Sequence, residues 1–202
     1  MSISGVGGPS TGAIGADLSG MDLETALMVV QQQRTELLDA ELKEQIDAVK
    51  QRNELTAKLN DMKAKLNALN KSLEHDAKVD DKVKDNAENR QAAKEYVQLC
   101  LSLGVSTSPV DVRNIVENKD GTFSFSLATN KDGDWEARPT KESLERAIGE
   151  LTSQIDSASN TQQMDMLRLQ TMSNKRNEAF DVMTNFVKKM QDSRSAIIGN
   201  MR

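Results

Sequence analysis

The side chains that most often carry out chemistry are scarce in this sequence. Cys100 is its single cysteine and His75 its single histidine. Cys100 lies between Val97 and Leu103 in an apolar segment, so we expect a buried thiol that behaves as a small hydrophobe. A lone histidine is a poor basis for a transition-metal site, which needs several nitrogen or sulfur ligands. We therefore expect no intrachain disulfide, no metal centre and no histidine-activated nucleophile.

Two close pairs of carboxylates, Asp80/Asp81 and Asp132/Asp134, are the candidates for acid–base chemistry. The first pair lies in a run of mixed charges, and the second pair lies in a predicted turn. Carboxylates in such segments are normally solvated. We interpret both pairs as surface charges.

The tetrapeptide Asn-Lys-Asp-Gly occurs twice, at 118–121 and 130–133. Its Asp-Gly step favours the positive φ of tight hairpin turns. A calcium loop is the alternative, but the glycine is misplaced relative to Asp132 and Asp134, and the distal glutamate is missing. The sequence also lacks a glycine-rich phosphate loop followed by Lys-Ser/Thr. We expect two turns, no cofactor and no enzymatic activity.

The composition favours helices that meet along narrow seams over one large core. Of the 202 residues, 37% are hydrophobic, 3% aromatic and 28% charged, so few large apolar side chains offset the entropy of folding. The net charge of −5 mixes both signs, and no basic patch indicates a nucleic-acid partner. No apolar run approaches the roughly 20 residues that span a bilayer. The N-terminus lacks the pattern of a Sec signal peptide, which leaves the cytosol or export by another route.

The stretch 21–103 contains neither glycine nor proline and carries the first long helical signal. Asp22 is placed to cap a helix that we predict over 22–75. Its apolar residues recur at alternating steps of four and three, which is the heptad pattern of a coiled coil. The clearest section of this seam is Leu55, Leu59, Met62, Leu66, Leu69 and Leu73.

A second long helix is predicted over 140–202, with Thr140 as its cap after Pro139. One uninterrupted heptad frame fits it. Some frame positions are polar, which lowers stability and fixes register or partner number. The polar positions are Gln162, Asp165, Arg176 and Ser193.

Residues 1–21 are rich in glycine, serine and threonine and predict a flexible tail. Residues 76–139 predict a small central module. Its charged beginning, 75–90, fits a mobile link or a solvated helical turn equally well. A short helix follows, which Gly104 is placed to end.

Period-two alternation then predicts a three-stranded β-meander, with strands beginning near Val110, Phe123 and Trp135. The fold class predicted is mainly α. A long antiparallel coiled-coil hairpin of the N- and C-terminal helices carries a small α+β head, the short helix plus the meander, inserted between them.

Both chain ends are too apolar for a two-helix hairpin. Leu27 to Val30 are four consecutive apolar residues, and at about 100° per residue they cover more than half of the helix circumference. One partner helix shields one stripe, so the remaining face predicts an interaction surface unless the short helix folds back over it. The predicted assembly interface comprises Leu27, Met28, Val29, Val30, Met183, Phe186, Val187, Met190, Ile197 and Ile198.

This layout resembles the filament-forming needle-tip proteins of bacterial type III secretion, of the EspA type and the Bordetella filamentous tip protein. The segments that carry the resemblance are 22–30 and 190–198, together with the Ser/Gly/Thr-rich start. The resemblance implies a secreted, extracellular homopolymer at the bacterial surface that bridges the needle and the host-cell translocation pore. The tail would be the export signal.

The resemblance further implies that the terminal helices line a hollow tube. The head would then face outward with Phe123, Phe125 and Trp135. Implied partners are other copies of the chain, the needle subunit, translocator pore proteins and a cytosolic secretion chaperone. Two alternatives stay open. One is a tip protein that stops at a ring, and the other is an intracellular coiled-coil adaptor that dimerises and presents its β head.

Overall fold

The computed structural model describes residues 22–200, apart from the side chains of Leu23 and Ile197. The predicted tail, 1–21, lies outside the described residues. The elements are α1 (Leu23–Lys71), α2 (Ala87–Ser102), β1 (Val112–Glu117), β2 (Phe123–Leu127) and α3 (Lys141–Asn200). The prediction of a mainly helical protein with two long helices and a small antiparallel sheet is confirmed.

The chain divides into two compact units, and both long helices contribute to each. Unit 1 comprises Met1–Ile46 and Leu167–Arg202, and unit 2 comprises Asp47–Met166. Unit 2 contains α2 and the sheet, whereas unit 1 is helical throughout its described part, apart from Asp22 at the start of α1.

The long helices begin where side chains can replace missing backbone partners. Asp22 accepts the Thr25 N–H through Oδ1 at 2.9 Å and the Thr25 hydroxyl through Oδ2 at 2.8 Å. At the start of α3, the Thr140 N–H donates to the Ser143 hydroxyl, and the Ser143 N–H donates to the Thr140 hydroxyl. Both predicted caps are therefore present, because they satisfy amide groups that the first helical turn leaves free.

Of the charged segment 75–90, residues 87–90 form the first turn of α2, and the part before α2 is not a regular helix. It contains turns and one isolated antiparallel bridge, between Lys82 and Thr140. The Val83 N–H donates to the Pro139 carbonyl at 3.1 Å, and the Val83 side chain is completely buried. Backbone pairing and burial of this valine therefore hold the chain around Val83 in an extended course beside the start of α3.

The sheet has two strands, not the three predicted. β1 and β2 pair antiparallel, from Val112 opposite Leu127 to Glu117 opposite Phe123, with an irregularity between Arg113 and Val116. The expected third strand is reduced to an isolated bridge between Thr129 and Trp135.

The reason lies in the hydrogen bonds around the missing strand. Glu136 and Ala137 both donate to the one carbonyl of Ala128, at 3.1 and 3.5 Å. The Trp135 N–H donates instead to a side-chain carboxylate oxygen, Oδ2 of Asp85, at 2.8 Å. A β-ladder needs a new acceptor at each step, so pairing stops after a single bridge.

The two Asn-Lys-Asp-Gly segments form the predicted turns. Gly121 has φ +78° and Gly133 has φ +86°. In each turn the glycine N–H donates to the carbonyl of the asparagine, Asn118 or Asn130. Glycine is needed here because a side chain would strain a backbone with positive φ.

The apolar core lies in unit 2. It joins the second half of α1, the buried face of α2, the sheet and the beginning of α3. Cys100 is completely buried in it, as predicted. Its fully enclosed side chains include Leu66, Leu69, Val83, Val97, Val110, Trp135 and Leu144.

Candidate assembly surface

The apolar side chains of unit 1 are distributed differently from those of unit 2. Among the described residues of unit 1, the buried apolar side chains are Met172 and Ala179. Many larger apolar side chains are exposed instead. We call the following set the exposed apolar set: Leu27, Val30, Leu37, Ile46, Leu167, Phe180, Val182 and Ile198.

On α1, the predicted interface residues divide between two environments. Leu27 is 42% and Val30 45% exposed, whereas Met28 and Val29 are half-buried. Leu37, which the sequence analysis did not select, is 66% exposed. Leu27, Val30 and Leu37 are separated by three and seven positions, so they lie on one stripe of the helix.

On α3, Met183, Phe186, Val187 and Met190 are half-buried, and Ile198 is 68% exposed. The side chain of Ile197 lies outside the described residues. The predicted interface does not include Phe180 and Val182, which are 46% and 45% exposed. They lie next to the heptad positions Ala179 and Met183, and an apolar residue beside an already apolar seam is the signal that was available.

The contact between α1 and α3 within unit 1 is partly polar. Arg176 Nη1 lies 3.7 Å from Oδ1 of Asp39. Thr35 is buried on α1, where its hydroxyl donates to the Gln31 carbonyl at 3.0 Å. Polar groups thus occupy part of this seam, while the exposed apolar set remains in contact with solvent.

A second ion pair joins the two long helices inside unit 2, between Arg52 and Asp165. Asp165 is buried with 8% exposure. Of the four polar heptad positions predicted on α3, Asp165 and Arg176 therefore both form ion pairs with α1. Charged pairs at such positions favour one alignment of two helices over others.

The head does not present all three of the aromatic residues expected to face outward. Phe123 and Phe125 are half-buried, but Trp135 is completely buried. The prediction for Trp135 is wrong, because its ring fills the core of unit 2 while its backbone bonds Asp85. Alternation along the sequence identified an apolar residue correctly but could not show which surface would enclose it.

The most reactive groups are enclosed in the core. The Tyr96 hydroxyl donates to the Ser108 carbonyl at 2.5 Å. Burial raises the pKa of Tyr96, and burial likewise raises the pKa of the Cys100 thiol to about 11. A thiol with this pKa is almost entirely protonated at neutral pH and is a weak nucleophile.

A cleft of about 270 Å³ lies beside Tyr96 and is lined partly by Arg146, Glu150 and Gln154. It contains no histidine or cysteine among its lining residues. Within 22–200, no group of three or more His, Cys, Asp or Glu side chains is arranged to hold a metal ion.

In the part of the chain that the structure describes, no helix has both the length and the apolar character needed to cross a membrane. Comparisons with protein families, with curated proteins and with solved structures found no match to this chain.

Proposed function

We propose that this chain is a structural protein that assembles with copies of itself through the terminal helices of unit 1. The proposal rests on the exposed apolar set, which lies on two helices that contact each other through the Asp39–Arg176 ion pair. A large apolar side chain contributes about 1.5–3 kcal/mol when it moves from water to full burial. Several such side chains on one unit provide a substantial driving force for association.

A second copy is the occupant that these helices fit best. Both helices combine exposed apolar residues with heptad spacing, and heptad helices pack side by side with helices of the same kind. In unit 1, α1 carries five acidic and two basic side chains and α3 carries six basic and three acidic ones, so α1 of one copy and α3 of another have opposite net charge. We interpret the surface as self-complementary.

The two long helices form an antiparallel coiled-coil hairpin in this proposal. Contacts inside unit 2 support this arrangement. Arg52 of α1 pairs with Asp165 of α3, and further along α1 Leu59 borders a cleft with Leu151 and Ala147. Residue numbers rise on α1 while they fall on α3, which is the order of an antiparallel pair.

For the biological setting, we propose a secreted needle-tip filament of a type III secretion system that connects the needle with the translocation pore. The support is the resemblance in layout: a Ser/Gly/Thr-rich start, two terminal heptad helices and a small inserted head. Export would place the polymer outside the bacterial cell, and a cytosolic chaperone would cover the exposed apolar set before export.

A charge introduced into the exposed apolar set tests the assembly. Phe180→Asp changes a side chain that is 46% exposed, so the fold should survive while association is lost. Asn185→Asp is the matched control, because it adds the same charge at an exposed polar position of α3. Negative-stain electron microscopy and light scattering across a concentration series report the polymers, and circular dichroism reports the helices.

The expected result is filaments or large oligomers for the unchanged protein and for Asn185→Asp, with their loss in Phe180→Asp. A dimer of fixed size at every concentration in the unchanged protein would favour the coiled-coil adaptor instead. A monomer at all concentrations would contradict both functions.

A further inference from the structure

Two turns of the head have the same sequence and the same backbone form but different side-chain restraints. Each turn begins with Asn-Lys-Asp-Gly and has glycine at positive φ. Each is closed by the asparagine N–H, which donates to the carbonyl of the residue after the glycine, at 2.8 Å to Thr122 and 2.9 Å to Asp134. These two residues are the difference between the turns, so each turn serves as an internal control for the other.

In the first turn, threonine holds the aspartate. Asp120 Oδ1 accepts the Thr122 N–H at 3.0 Å and the Thr122 hydroxyl at 2.6 Å. These hydrogen bonds, the hydroxyl first, lower the pKa of Asp120. These two bonds favour the ionised form of the Asp120 carboxyl group and hold it against Thr122.

In the second turn, the aspartate lacks this restraint. Asp134 has no hydroxyl to donate, and its N–H goes to Oδ1 of Asn130 at 2.8 Å. The Asp132 N–H goes to the same oxygen at 3.0 Å. Within residues 22–200, no hydrogen bond or ion pair is formed by the Asp132 carboxylate, and the side chain is exposed.

We propose that Asp132–Gly133 is a site of spontaneous aspartyl isomerisation and that Thr122 protects Asp120–Gly121 from the same reaction. The Gly133 amide nitrogen loses its proton and forms a bond to Cγ of the protonated Asp132 carboxyl group. A carboxyl C–O bond breaks, water leaves, and a cyclic succinimide results. Water then adds to one of the two ring carbonyls and opens the ring to an aspartyl or an isoaspartyl linkage.

Glycine permits this reaction because it has no side chain to obstruct the attacking nitrogen. The reaction also needs a carboxyl group that is free to rotate toward that nitrogen and to accept a proton. The Asp132 side chain is exposed and without a restraining hydrogen bond within residues 22–200, whereas the two bonds from Thr122 hold the Asp120 carboxylate in place and lower its pKa. The backbone form is shared, so it does not account for the difference.

The product would disturb contacts of the core. The Gly133 carbonyl accepts a hydrogen bond from Nη2 of Arg90 at 2.9 Å. Arg90 also pairs with Asp85, which accepts the Trp135 N–H. An isoaspartyl linkage adds one methylene group to the main chain beside Gly133, so it shifts this carbonyl and loosens the contact that holds Trp135.

The test is to store the full-length protein for several weeks under mild conditions and to measure isoaspartate at both sites in the same peptide. Cleavage after Glu117 and Glu136 releases one segment, 118–136, that contains both Asp-Gly steps. Mass spectrometry with electron-based fragmentation then assigns the isomer. We expect isomerisation at Asp132 to be at least about tenfold faster than at Asp120, which corresponds to losing one charge-assisted hydrogen bond.

Reciprocal variants test the cause. Asp134→Thr gives the second turn the sequence of the first and should protect Asp132. Thr122→Asp gives the first turn the sequence of the second and should expose Asp120 to the reaction. Asp132→Glu is the chemical control, because the longer side chain disfavours the five-membered ring and should remove the signal at that position. Circular dichroism checks that each variant is folded.

Equal rates at the two sites, or a faster rate at Asp120, would overturn the proposal. The proposal would also be overturned if, in folded variants, the isomerisation rate did not depend on whether threonine or aspartate follows the glycine. The measurement is made on peptides from soluble protein and does not depend on polymer formation, so its result is independent of the proposed assembly.

Discussion

Arg90 and Asp85 form a two-point ion pair that anchors the turn at Gly133 and the adjacent Trp135 to the beginning of α2. Arg90 Nε lies 2.5 Å from Oδ1 of Asp85, and Nη2 lies 2.7 Å from Oδ2. The same two side chains bond the Trp135 N–H and the Gly133 carbonyl, which are 50 and 43 positions away in sequence. One local ion pair therefore fixes a distant turn and the aromatic residue beside it.

We expect Asp85→Asn to lower the stability of unit 2 in a pH-dependent way. Bonds from Arg90 and then from the Trp135 N–H lower the pKa of Asp85 from 3.8 to about 2. Because the folded-state pKa lies below the unfolded value, the carboxylate stabilises the fold above pH 3.8, and this contribution is lost as the pH falls toward 2. Urea unfolding followed by Trp135 fluorescence should show a difference at neutral pH that disappears near pH 2.

The matched control for this prediction is Asp76→Asn, which removes an exposed carboxylate from the same interhelical segment. It should leave the urea midpoint almost unchanged at all pH values. A difference between Asp85→Asn and the unchanged protein that stays constant from neutral to acidic pH would contradict the role of the charge.

Trp135→Ala should destabilise unit 2 by about 3–5 kcal/mol, because it removes a large and fully buried ring and leaves a cavity. Val116→Ala is the comparison within the sheet. Val116 is 58% exposed, so its truncation should change stability by about 0.5 kcal/mol or less. Chemical unfolding monitored by circular dichroism measures both variants. Similar effects of the two substitutions would show that Trp135 is not part of the folded core.

The Arg52–Asp165 pair should contribute more to helix alignment than to stability. Removing one partner by Arg52→Met should cost about 1–3 kcal/mol, between the values for exposed and buried pairs, because it leaves a buried carboxylate without this cation. The double variant Arg52→Met/Asp165→Leu should recover that loss. A full double-mutant cycle by urea unfolding measures the coupling.

For the same double variant, cysteine cross-linking between α1 and α3 should show a broader range of helix alignments. The charged pair no longer selects one register, although the apolar replacements still favour packing. If the double variant is as unstable as the single one, or if cross-links remain confined to one register, this account of the pair is wrong.

Cys100 should react with thiol reagents only when unit 2 unfolds. Its side chain is completely buried, and burial raises its pKa to about 11. Maleimide labelling in increasing urea should follow the unfolding curve measured by Trp135 fluorescence. His75→Cys, at an exposed position after α1, is the positive control and should be labelled at once in the folded protein. Rapid labelling of Cys100 without denaturant would contradict the enclosed position.

Features with local causes were predictable from the sequence. Asp22 and Thr140 cap the long helices because nearby side chains can satisfy free amide groups. Gly121 and Gly133 occupy positive φ because the Asp-Gly step favours it. Burial of Cys100 followed from its apolar neighbours. Each of these outcomes depends on residues only a few positions apart.

The candidate assembly surface was only partly predictable. Leu27, Val30 and Ile198 were selected from the sequence and are exposed in unit 1, but Leu37 and Phe180 were not selected. The heptad pattern identifies helix faces that favour burial. It does not state which apolar face the partner helix in the same chain covers and which one remains open.

The amino-acid sequence by itself determined where the two long helices begin, where the turns lie and that both long helices are apolar on more than one face, because these properties follow from local bonding and spacing. Tertiary structure alone decided that Trp135 points into the core, that Val83 pairs with Pro139, and that Arg52 meets Asp165. Those contacts join residues far apart in the chain, and their formation depends on which groups compete for the same acceptor or the same enclosed volume.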